Sequence, residues 1–273
     1  MQIAIDFGAS NTDIVAHNMA GELRRWSMPS VGQPSEARVR AVLAAGSVDL
    51  GEVEWIAVTG GDRSELPAAI DDVVMRPVAE VAAIGRGGLV LSGFEAAAIV
   101  SAGSGTAVIA ARPEGCHHIS GTGVGGGTLL GLARLLIGTA DAQAVDALAR
   151  AGSHVGVNLT IGEVVGAAAI GSLPPNTTAV NFGKLARQAI TPSRPDMAAG
   201  IINLVGQVIA VVAINAARSQ NFEEIVVVGH LADLASIRTT LTEVGGFYGA
   251  RIHIPVGGGY ATAHGALLVA QAS

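Results

Sequence analysis

The sequence predicts a mixed α/β fold of two lobes, and three features of the 273-residue chain support this expectation. The first third contains short β-forming runs separated by glycine turns, and it opens as an antiparallel hairpin. The segment that starts at Gly125 is helical in period or composition. From Glu224 onward strands and helices alternate, which predicts parallel strands joined by crossover helices. We therefore expect mixed sheets flanked by helices, with a cleft between lobes at residues 1–119 and 120–273.

The predicted strands are short apolar or β-branched runs, and the predicted helices carry apolar residues at helical spacing. Strands are expected at residues 3–7, 12–16, 22–27, 54–59, 96–101, 106–111, 224–228 and 251–254. Helices are expected at 35–45, 78–84, 129–137, 140–151, 161–170, 182–189, 196–219, 229–241 and 260–270. Gly85 is expected to end the helix at 78–84, since glycine commonly follows the last helical residue.

The composition indicates a large apolar core and narrows the classes of partner. Half of the residues are hydrophobic and 14% are charged, and the net charge of −6 comes without basic clusters. This argues against binding to nucleic acid or to an anionic membrane. The most apolar stretch, residues 200–217, is interrupted by Asn203, Gln207 and Asn215, so a buried helix is expected rather than a membrane span. With a lone Cys116 and no recognisable leader, a cytoplasmic protein is the expectation.

The first chemical motif follows the first strand and contains Asp6, Gly8, Ser10, Asn11 and Thr12. A strand that ends in glycine and small polar residues presents N–H groups and hydroxyls to an anion. An aspartate at that position can hold hydrated Mg²⁺, often through water. An ordinary hairpin turn with a capping aspartate is the alternative interpretation.

A second turn between strands contains Ser104, Gly105 and Thr106, and by itself it is a common Gly-Ser turn. A third segment, residues 120–128, has five glycines among the seven residues from 121 to 127 and leads into an apolar helix. Glycines at a helix N-terminus leave N–H groups and the positive end of the helix dipole facing a phosphate. A structural turn remains the alternative, because the segment matches neither the Walker nor the Rossmann pattern.

A fourth feature, the strand at 224–228 followed by Gly229 and a helix, completes a spaced set of turns. The set resembles that of the actin, hexokinase and heat-shock-chaperone superfamily. This resemblance implies a two-lobed actin-like (ribonuclease H-like) ATPase fold. The two hairpin turns would then bind phosphates, and the later glycines would line the nucleoside pocket.

Within that superfamily the chain resembles the type II pantothenate kinases over nearly its whole length. The similar segments are IAIDFGASNTDIV, VTGGD, SGTGVGGGTLLGLARLL, VNLTIGEVVG, VNFGKLA and GGGYATAHGALL, and they occur in the family's order. The resemblance implies a homodimer that uses ATP and Mg²⁺ to phosphorylate pantothenate in coenzyme A biosynthesis.

The resemblance also implies a role for individual positions. Glu80 corresponds to the general base, although without the family it reads as an exposed helix residue, and Asp6 corresponds to the metal-associated aspartate, with Mg²⁺ bound through water. His118 corresponds to a substrate-contacting position, together with Ser120 and Gly121. The residues expected to bind nucleotide and phosphate are Gly8, Ser10, Asn11, Thr12, Ser104, Gly105, Thr106, Gly123, Gly125, Gly126 and Gly127.

Two positions depart from the family in charge. Asp13 stands where the family commonly has a lysine, and an aspartate there repels the transferring phosphate. His118 stands where the family has an arginine that contacts pantothenate, and a neutral histidine cannot make the same two-pronged contact. Three hypotheses follow: a pantothenate kinase, a kinase for another small hydroxy compound, and a non-catalytic nucleotide-binding regulatory or reactivase-like protein.

Overall fold

Two large sheets form the framework of the computed structural model, which describes residues 1–18, 20–166, 173–187 and 191–273. The first sheet has the order β3-β2-β1-β4-β6-β5. Its strands are β1 (Gln2–Phe7), β2 (Asn11–His17), β3 (Leu23–Pro29), β4 (Trp55–Gly60), β5 (Ala69–Ile70) and β6 (Val73–Pro77). The second has the order β13-β12-β7-β8-β9. Its strands are β7 (Ala97–Ala102), β8 (Thr106–Arg112), β9 (Gly115–Thr122), β12 (Glu224–Val228) and β13 (Arg251–His253). A small pair joins β10 (Leu159–Thr160) to β11 (Thr178–Val180).

The helices in the described residues are α1 (Glu36–Ala45), α2 (Glu80–Ser92), α3 (Gly126–Ile137), α4 (Ala142–Ala151), α5 (Ile161–Val165), α6 (Gly183–Arg187), α7 (Arg194–Ser219), α8 (Ala235–Phe247) and α9 (Ala261–Gln271). Short 3₁₀ turns at His230–Asp233 and Gly258–Tyr260 precede α8 and α9. Several helices begin where the sequence offers a cap. The side chains of Ser35, Asp141 and Ser193 accept hydrogen bonds from backbone N–H groups in the first turns of α1, α4 and α7.

Both large sheets are mixed, as the sequence predicts. In the first, β1 runs antiparallel to β2 and parallel to β4. In the second, β7 runs antiparallel to β8 and parallel to β12. Each sheet therefore begins with an antiparallel hairpin and adds a parallel strand through a crossover, which brings the hairpin turns and the parallel strand ends to one edge.

The core of the second sheet is built on α7, whose Ile201, Val205 and Ile209 are fully buried. This helix is long and apolar enough to cross a membrane by length and composition alone, yet 67% of its apolar window is buried within the fold. Two of the polar interruptions have partners inside the fold: Asn203 Oδ1 accepts hydrogen bonds from Asn158 Nδ2 at 3.1 Å and from Thr178 Oγ1 at 2.9 Å, and Gln207 Oε1 accepts one from Asn181 Nδ2 at 3.1 Å. The third, Asn215, is exposed. Helix α7 is thus a core helix, as expected for residues 200–217.

Helices α2 and α9 lie between the two sheets and pack against each other. Ile84 of α2 belongs to the apolar cluster on the second sheet, and Leu267 of α9 belongs to the cluster on the first. Their crossing is close, because a Cβ on Gly87 would lie 1.9 Å from the carbonyl oxygen of Ala261, and one on Gly265 would lie 1.9 Å from that of Ala83. Glycine at both positions is required by this contact.

The structure corrects several predicted boundaries. Helix α2 begins at Glu80 and runs through Gly85 to Ser92, so the predicted end at Gly85 is wrong. Gly85 is instead a packing position, since a Cβ there would lie 2.3 Å from Cys116 Sγ. The short strands β5 and β6 and the strand β9 were absent from the sequence prediction. The ends of the predicted helices 161–170 and 182–189 lie partly outside the described residues.

The predicted lobes at 1–119 and 120–273 remain a prediction, and strand pairing suggests another way to divide the chain. Strands β7 and β8 precede residue 120, yet they hydrogen-bond in the same sheet as β12. Below, "first lobe" means the first sheet with α1 and α9, and "second lobe" means the second sheet with α2, α3, α4, α7 and α8.

Candidate functional site

A cavity of about 500 Å³ lies between the two lobes, at the edge where the hairpin turns meet. Predicted site residues from both lobes line it: Asp6, Gly8, Ser10, Asn11, Glu80, Ser104, Gly105, Thr106 and Gly126. Other predicted site residues lie outside its lining: Thr12, His118, Ser120, Gly121, Gly123, Gly125 and Gly127. The structure thus brings together the two hairpin turns and Glu80, which are separated by up to about a hundred residues along the chain.

The turn after β1 faces the turn after β7 across this cavity. Ser10 Oγ lies 2.6 Å from Ser104 Oγ, which places the two turns in direct contact. Ser30 Oγ donates to the carbonyl oxygen of Gly8 at 2.6 Å, and Thr12 Oγ1 lies 3.0 Å from Ser30 Oγ. The buried Thr12 therefore supports the first turn from behind, and its predicted contact with phosphate stays a prediction.

The glycine-rich segment before α3 packs on the backbone of the second turn. The N–H of Gly126 donates to the carbonyl oxygen of Gly103 at 2.8 Å, and the N–H of Gly127 donates to that of Ser104 at 2.9 Å. A Cβ on Gly125 would lie 2.7 Å from the Ser104 carbonyl oxygen. These glycines permit a close approach, and the N–H groups of Gly126 and Gly127, expected to be free, are engaged. Their role in nucleotide binding remains a prediction.

The acidic side chains of the cavity influence one another. Asp6 and Asp13 are direct partners across β1 and β2, and Glu80 begins α2 at the same cavity. Burial, reinforced by the charges of Asp13 and Glu80, raises the pKa of Asp6 to about 7, although His230 and Arg63 act in the opposite direction. The carboxylate of Asp6 is therefore poised to change its charge near neutral pH.

The donor set suits a magnesium ion held mainly through water. Among the residues that the structure describes, no group of three or more His, Cys, Asp or Glu side chains is arranged as a metal site. Mg²⁺ normally keeps several waters and takes only one or two carboxylates together with substrate phosphates. Asp6, partly buried beside the two turns, is chemically suited to that manner of binding, and its role in holding Mg²⁺ stays a prediction.

Asp13, which departs from the family in charge, is paired with a histidine from the other lobe. Asp13 Oδ1 lies 2.9 Å from Nε2 of His230, and Nδ1 of the same ring lies 3.2 Å from Asp233 Oδ2. The hydrogen bonds to these two carboxylates raise the pKa of His230 to about 10. Sequence reasoning gave His230 no role, because no local pattern links two residues that are 217 positions apart.

Arg63 is a second residue that sequence reasoning missed. Its Nη1 donates to the carbonyl oxygens of Val58 at 2.8 Å and Val78 at 2.7 Å. It therefore fastens the end of β4 to the residues that lead into α2, where Glu80 lies. The only available signal was its place directly after the VTGGD segment.

The predicted substrate-contacting residues lie on β9, an edge strand of the second sheet. His118 is exposed, and its Nε2 lies 3.4 Å from where a Cβ on Gly121 would be. Together with Ser120 these residues lie outside the cavity lining. Their contact with substrate stays a prediction.

The family model described as Fumble matches residues 97–268, which is more than half of the chain. The chain belongs to the Fumble family, that of the type II pantothenate kinases. The matched part contains the second turn, the glycine-rich segment and His230, whereas Asp6 and Glu80 precede it. The roles of those two carboxylates therefore remain predictions.

The curated relatives that this chain matches include pantothenate kinases, the enzymes that its sequence motifs resemble. The chain is 34% identical to a type II pantothenate kinase of Bacillus cereus (strain G9842) over 134 residues, which are 48% of each chain. It is 37% identical to pantothenate kinase 1 of Oryza sativa subsp. japonica over 110 residues, 38% of this chain and 16% of the rice protein. The chain thus spans about half the length of the Bacillus relatives that it matches.

Solved structures that resemble this Fumble protein confirm the actin-like ATPase fold. The (R)-2-hydroxyglutaryl-CoA dehydratase component A of Acidaminococcus fermentans has a TM-score of 0.66 at 15% identity, covering 98% of this chain and 96% of its own. A ROK family glucokinase from Streptomyces griseus, in complex with glucose and AMPPNP, has a TM-score of 0.61 at 13% identity, covering 100% and 99%. At such identities the likeness concerns the fold alone.

Proposed function

We propose that this Fumble-family protein is an ATP-dependent kinase that transfers a phosphoryl group to a small alcohol, with pantothenate as the first candidate. The observation that supports the proposal most directly is the shared cavity, in which two hairpin turns face each other beside the carboxylate of Glu80. Membership of the family supports it independently. The resemblance further supports a cytoplasmic homodimer in coenzyme A biosynthesis, and light scattering of the purified protein would test the dimer.

In the proposed reaction, N–H groups and hydroxyls of the two turns bind the ATP phosphates. Asp6 would hold a magnesium ion through water, and that ion would supply positive charge to offset the charge on the transferring phosphate. Glu80 accepts the proton of the substrate hydroxyl as its oxygen bonds to the γ-phosphorus and the bond to ADP breaks. The position of Glu80 at the start of α2, fastened by Arg63, suits it to this role.

An assay of ADP release with pantothenate, coupled to detection of the phosphorylated product, tests the proposal. We expect turnover that depends on enzyme, ATP, Mg²⁺ and alcohol. The Glu80→Gln variant should lower kcat by roughly 10²–10⁴-fold while AMPPNP binding is unchanged, because a general base contributes about that much. Glu95→Gln is the matched control, since Glu95 is exposed just beyond the other end of α2. Nucleotide binding without product from any alcohol would favour the regulatory hypothesis.

A kinase for an uncharged hydroxy compound is the second candidate, and the charges of the cavity favour it. The ionisable side chains of the described lining are Asp6, Asp13, Glu80 and His230. His230 is the single cation among them, and both of its ring nitrogens already face carboxylates. The residues that the structure does not describe include no Lys, Arg or His. A substrate carboxylate therefore meets acidic neighbours without a free cation to offset them.

Pantothenate and its N-alkyl amides separate the two candidates, because they share the acceptor alcohol and differ in the carboxylate. A higher kcat/KM for the neutral amides, or for sugars, would support the second candidate. A higher kcat/KM for pantothenate would support the first. If β9 approaches the substrate, we expect His118→Arg to raise the kcat/KM for pantothenate relative to that for the amides, since a guanidinium can pair with a carboxylate.

A further inference from the structure

His230 contacts the first lobe through Nε2 and a residue of its own lobe through Nδ1. Nε2 lies 2.9 Å from Asp13 Oδ1 on β2 of the first lobe, and Nδ1 lies 3.2 Å from Asp233 Oδ2 in its own lobe. A carboxylate only accepts hydrogen bonds, so both ring nitrogens donate and the ring is an imidazolium. Asp13 is 5% exposed and the side chain of His230 is 32% exposed, so the carboxylate end of the contact is shielded from water and the ring is partly shielded.

The surroundings of the ring fit it closely. A Cβ on Gly259 would lie 2.3 Å from Nδ1 of His230 and 3.0 Å from Asp233 Oδ2, so any larger residue would displace the ring. The ring of Tyr260 meets that of His230 edge to face, with centroids 5.4 Å apart and an interplanar angle of 79°. The turn that begins at Gly229, with φ of +100°, places His230 at the lining of the cavity. Gly229, Gly259 and Tyr260 together therefore fix the orientation of the imidazolium.

We propose that His230 is a positioning residue that clasps the two lobes and thereby holds the two phosphate-facing turns opposite each other. The clasp consists of Asp13, His230 and Asp233. Ser10 and Ser104 also contact each other across the same cavity, and α2 packs on α9, so we expect release of Asp13 to loosen the spacing of the two turns without parting the lobes. The inference rests on the proposed nucleotide site for its functional consequence, but the contact between the lobes does not depend on it.

The same geometry argues against another role for His230. A cation that replaced the family's lysine at position 13 would need a free N–H group for the phosphate. Both N–H groups of His230 face carboxylates, and the clasp as a whole carries one net negative charge. His230 therefore neutralises Asp13 and fixes its position, and it has no donor left for a phosphate.

The clasp should weaken at alkaline pH. The charged or titratable groups around His230 are Asp13 on β2, Asp233 on its own turn, Asp6 on β1, Tyr260 before α9 and Arg25 on β3. With the clasp formed, the pKa of His230 is raised from 6.5 to about 10. Its contribution to closure is therefore complete below about pH 6.5 and is lost as the pH rises through about 10.

Calorimetric titration with AMPPNP and Mg²⁺ at pH 7 to 10 tests the clasp. We expect His230→Gln to weaken binding at pH 7 by about tenfold, a usual size for coupling between two sites. Asp13→Asn should weaken binding by less, because it also removes a negative charge near the proposed phosphate site. The double variant should bind AMPPNP no more weakly than the single variant with the lower affinity, because both changes open the same contact. The loss of affinity between pH 7 and 10 should be steeper in the unmodified protein than in His230→Gln.

His253→Gln is the matched control. Nε2 of His253 lies 2.6 Å from Glu224 Oε2, so it is also a histidine–carboxylate pair, but both residues belong to the second sheet. We expect this variant to bind AMPPNP with the affinity and pH dependence of the unmodified protein. Additive losses in the double variant, or a loss of affinity between pH 7 and 10 that is as steep in His230→Gln as in the unmodified protein, would overturn the clasp.

Hydrogen exchange without nucleotide distinguishes failure of the clasp from failure of the proposed function. We expect residues 8–13 and 101–106 to exchange faster in both His230→Gln and Asp13→Asn than in His253→Gln. If AMPPNP binds to no variant but exchange still depends on His230, the clasp stands and the kinase proposal fails. If exchange at both turns is the same in all variants, the clasp is wrong.

Discussion

At the scale of single residues, the cleft concentrates negative charge beside the two hairpin turns. Asp6 faces Asp13 directly across two strands, and like charges opposite each other destabilise a sheet. Burial and these charges raise the pKa of Asp6 to about 7. The ordinary pKa of an aspartate is 3.8. Because the pKa of Asp6 is higher in the folded protein, its ionisation lowers the free energy of unfolding, beginning above about pH 4 and reaching the full loss above about pH 7. A bound magnesium ion would reverse this cost, because it favours the ionised form.

Asp6→Asn should consequently make the unliganded protein more stable at pH 8 by on the order of 2–4 kcal/mol, and the gain should shrink as the pH falls towards 4. Urea unfolding across this pH range measures the effect. The control is Asp62→Asn, because Asp62 is exposed and the hydrogen bonds from Ser64 lower its pKa. That variant should show no gain at alkaline pH. A gain for Asp6→Asn that is the same at pH 4 and pH 8 would contradict the expected cause.

The residues that sequence reasoning found and those it missed differ in how they are encoded. Asp6 lies near the end of β1, and Ser10 and Ser104 lie in the turns that follow β1 and β7, so their neighbours along the chain already predict a phosphate-facing role. His230 and Arg63 act through partners on other strands, and only the tertiary structure creates those contacts. The sequence comparison marks Asp13 as a departure from the charge expected at that position. Only the tertiary structure shows that His230 pairs with it.

At the scale of elements, the position of Glu80 depends on how α2 crosses α9. Gly85, Gly87 and Gly88 lie inside α2, where glycine ordinarily lowers helix stability. That preference suggested that the helix ended early. In the structure these glycines let α2 approach α9 and the second sheet, and α2 ends only at Gly93, whose φ is +75°. Tertiary packing therefore overrides the local preference, and this could not be foreseen without knowing which helix lies opposite.

Gly87→Ala should destabilise the protein by about 3 kcal/mol or more, because its Cβ would lie 1.9 Å from a backbone oxygen that cannot move alone. Gly131→Ala in α3 is the matched control, since no atom lies within 4 Å of its added Cβ. That variant should stabilise the protein by roughly 0.5–1 kcal/mol through helix propensity. Thermal and urea unfolding measure both changes. Equal effects of the two substitutions would contradict the importance of the α2–α9 crossing.

At the scale of the whole molecule, the order of elements predicts the mixed sheets, but no local pattern predicts which distant strands share a sheet. Strands β7, β8 and β9 follow the first sheet without a composition break, and the pairing of β7 with β12 spans more than a hundred residues. Long-range pairing of this kind leaves no local signal. The order of motifs along the chain supplies the missing information, because it resembles a family and thereby predicts the actin-like fold that the structure has.

A cleft formed by both lobes also predicts how ligands affect the stability of the whole protein. A ligand that binds only the folded cleft stabilises it by about 2.7 kcal/mol at a hundred times its Kd. With Mg²⁺ present and at equal concentration, we expect AMPPNP to raise the Tm most, ADP less and AMP least, because the two turns face the phosphates rather than the base. Removing Mg²⁺ should reduce the AMPPNP shift more than the AMP shift, since only AMPPNP offers β- and γ-phosphate oxygens beside Asp6. Equal shifts for AMPPNP and AMP would place the binding energy outside these turns and contradict the assignment of the phosphate site.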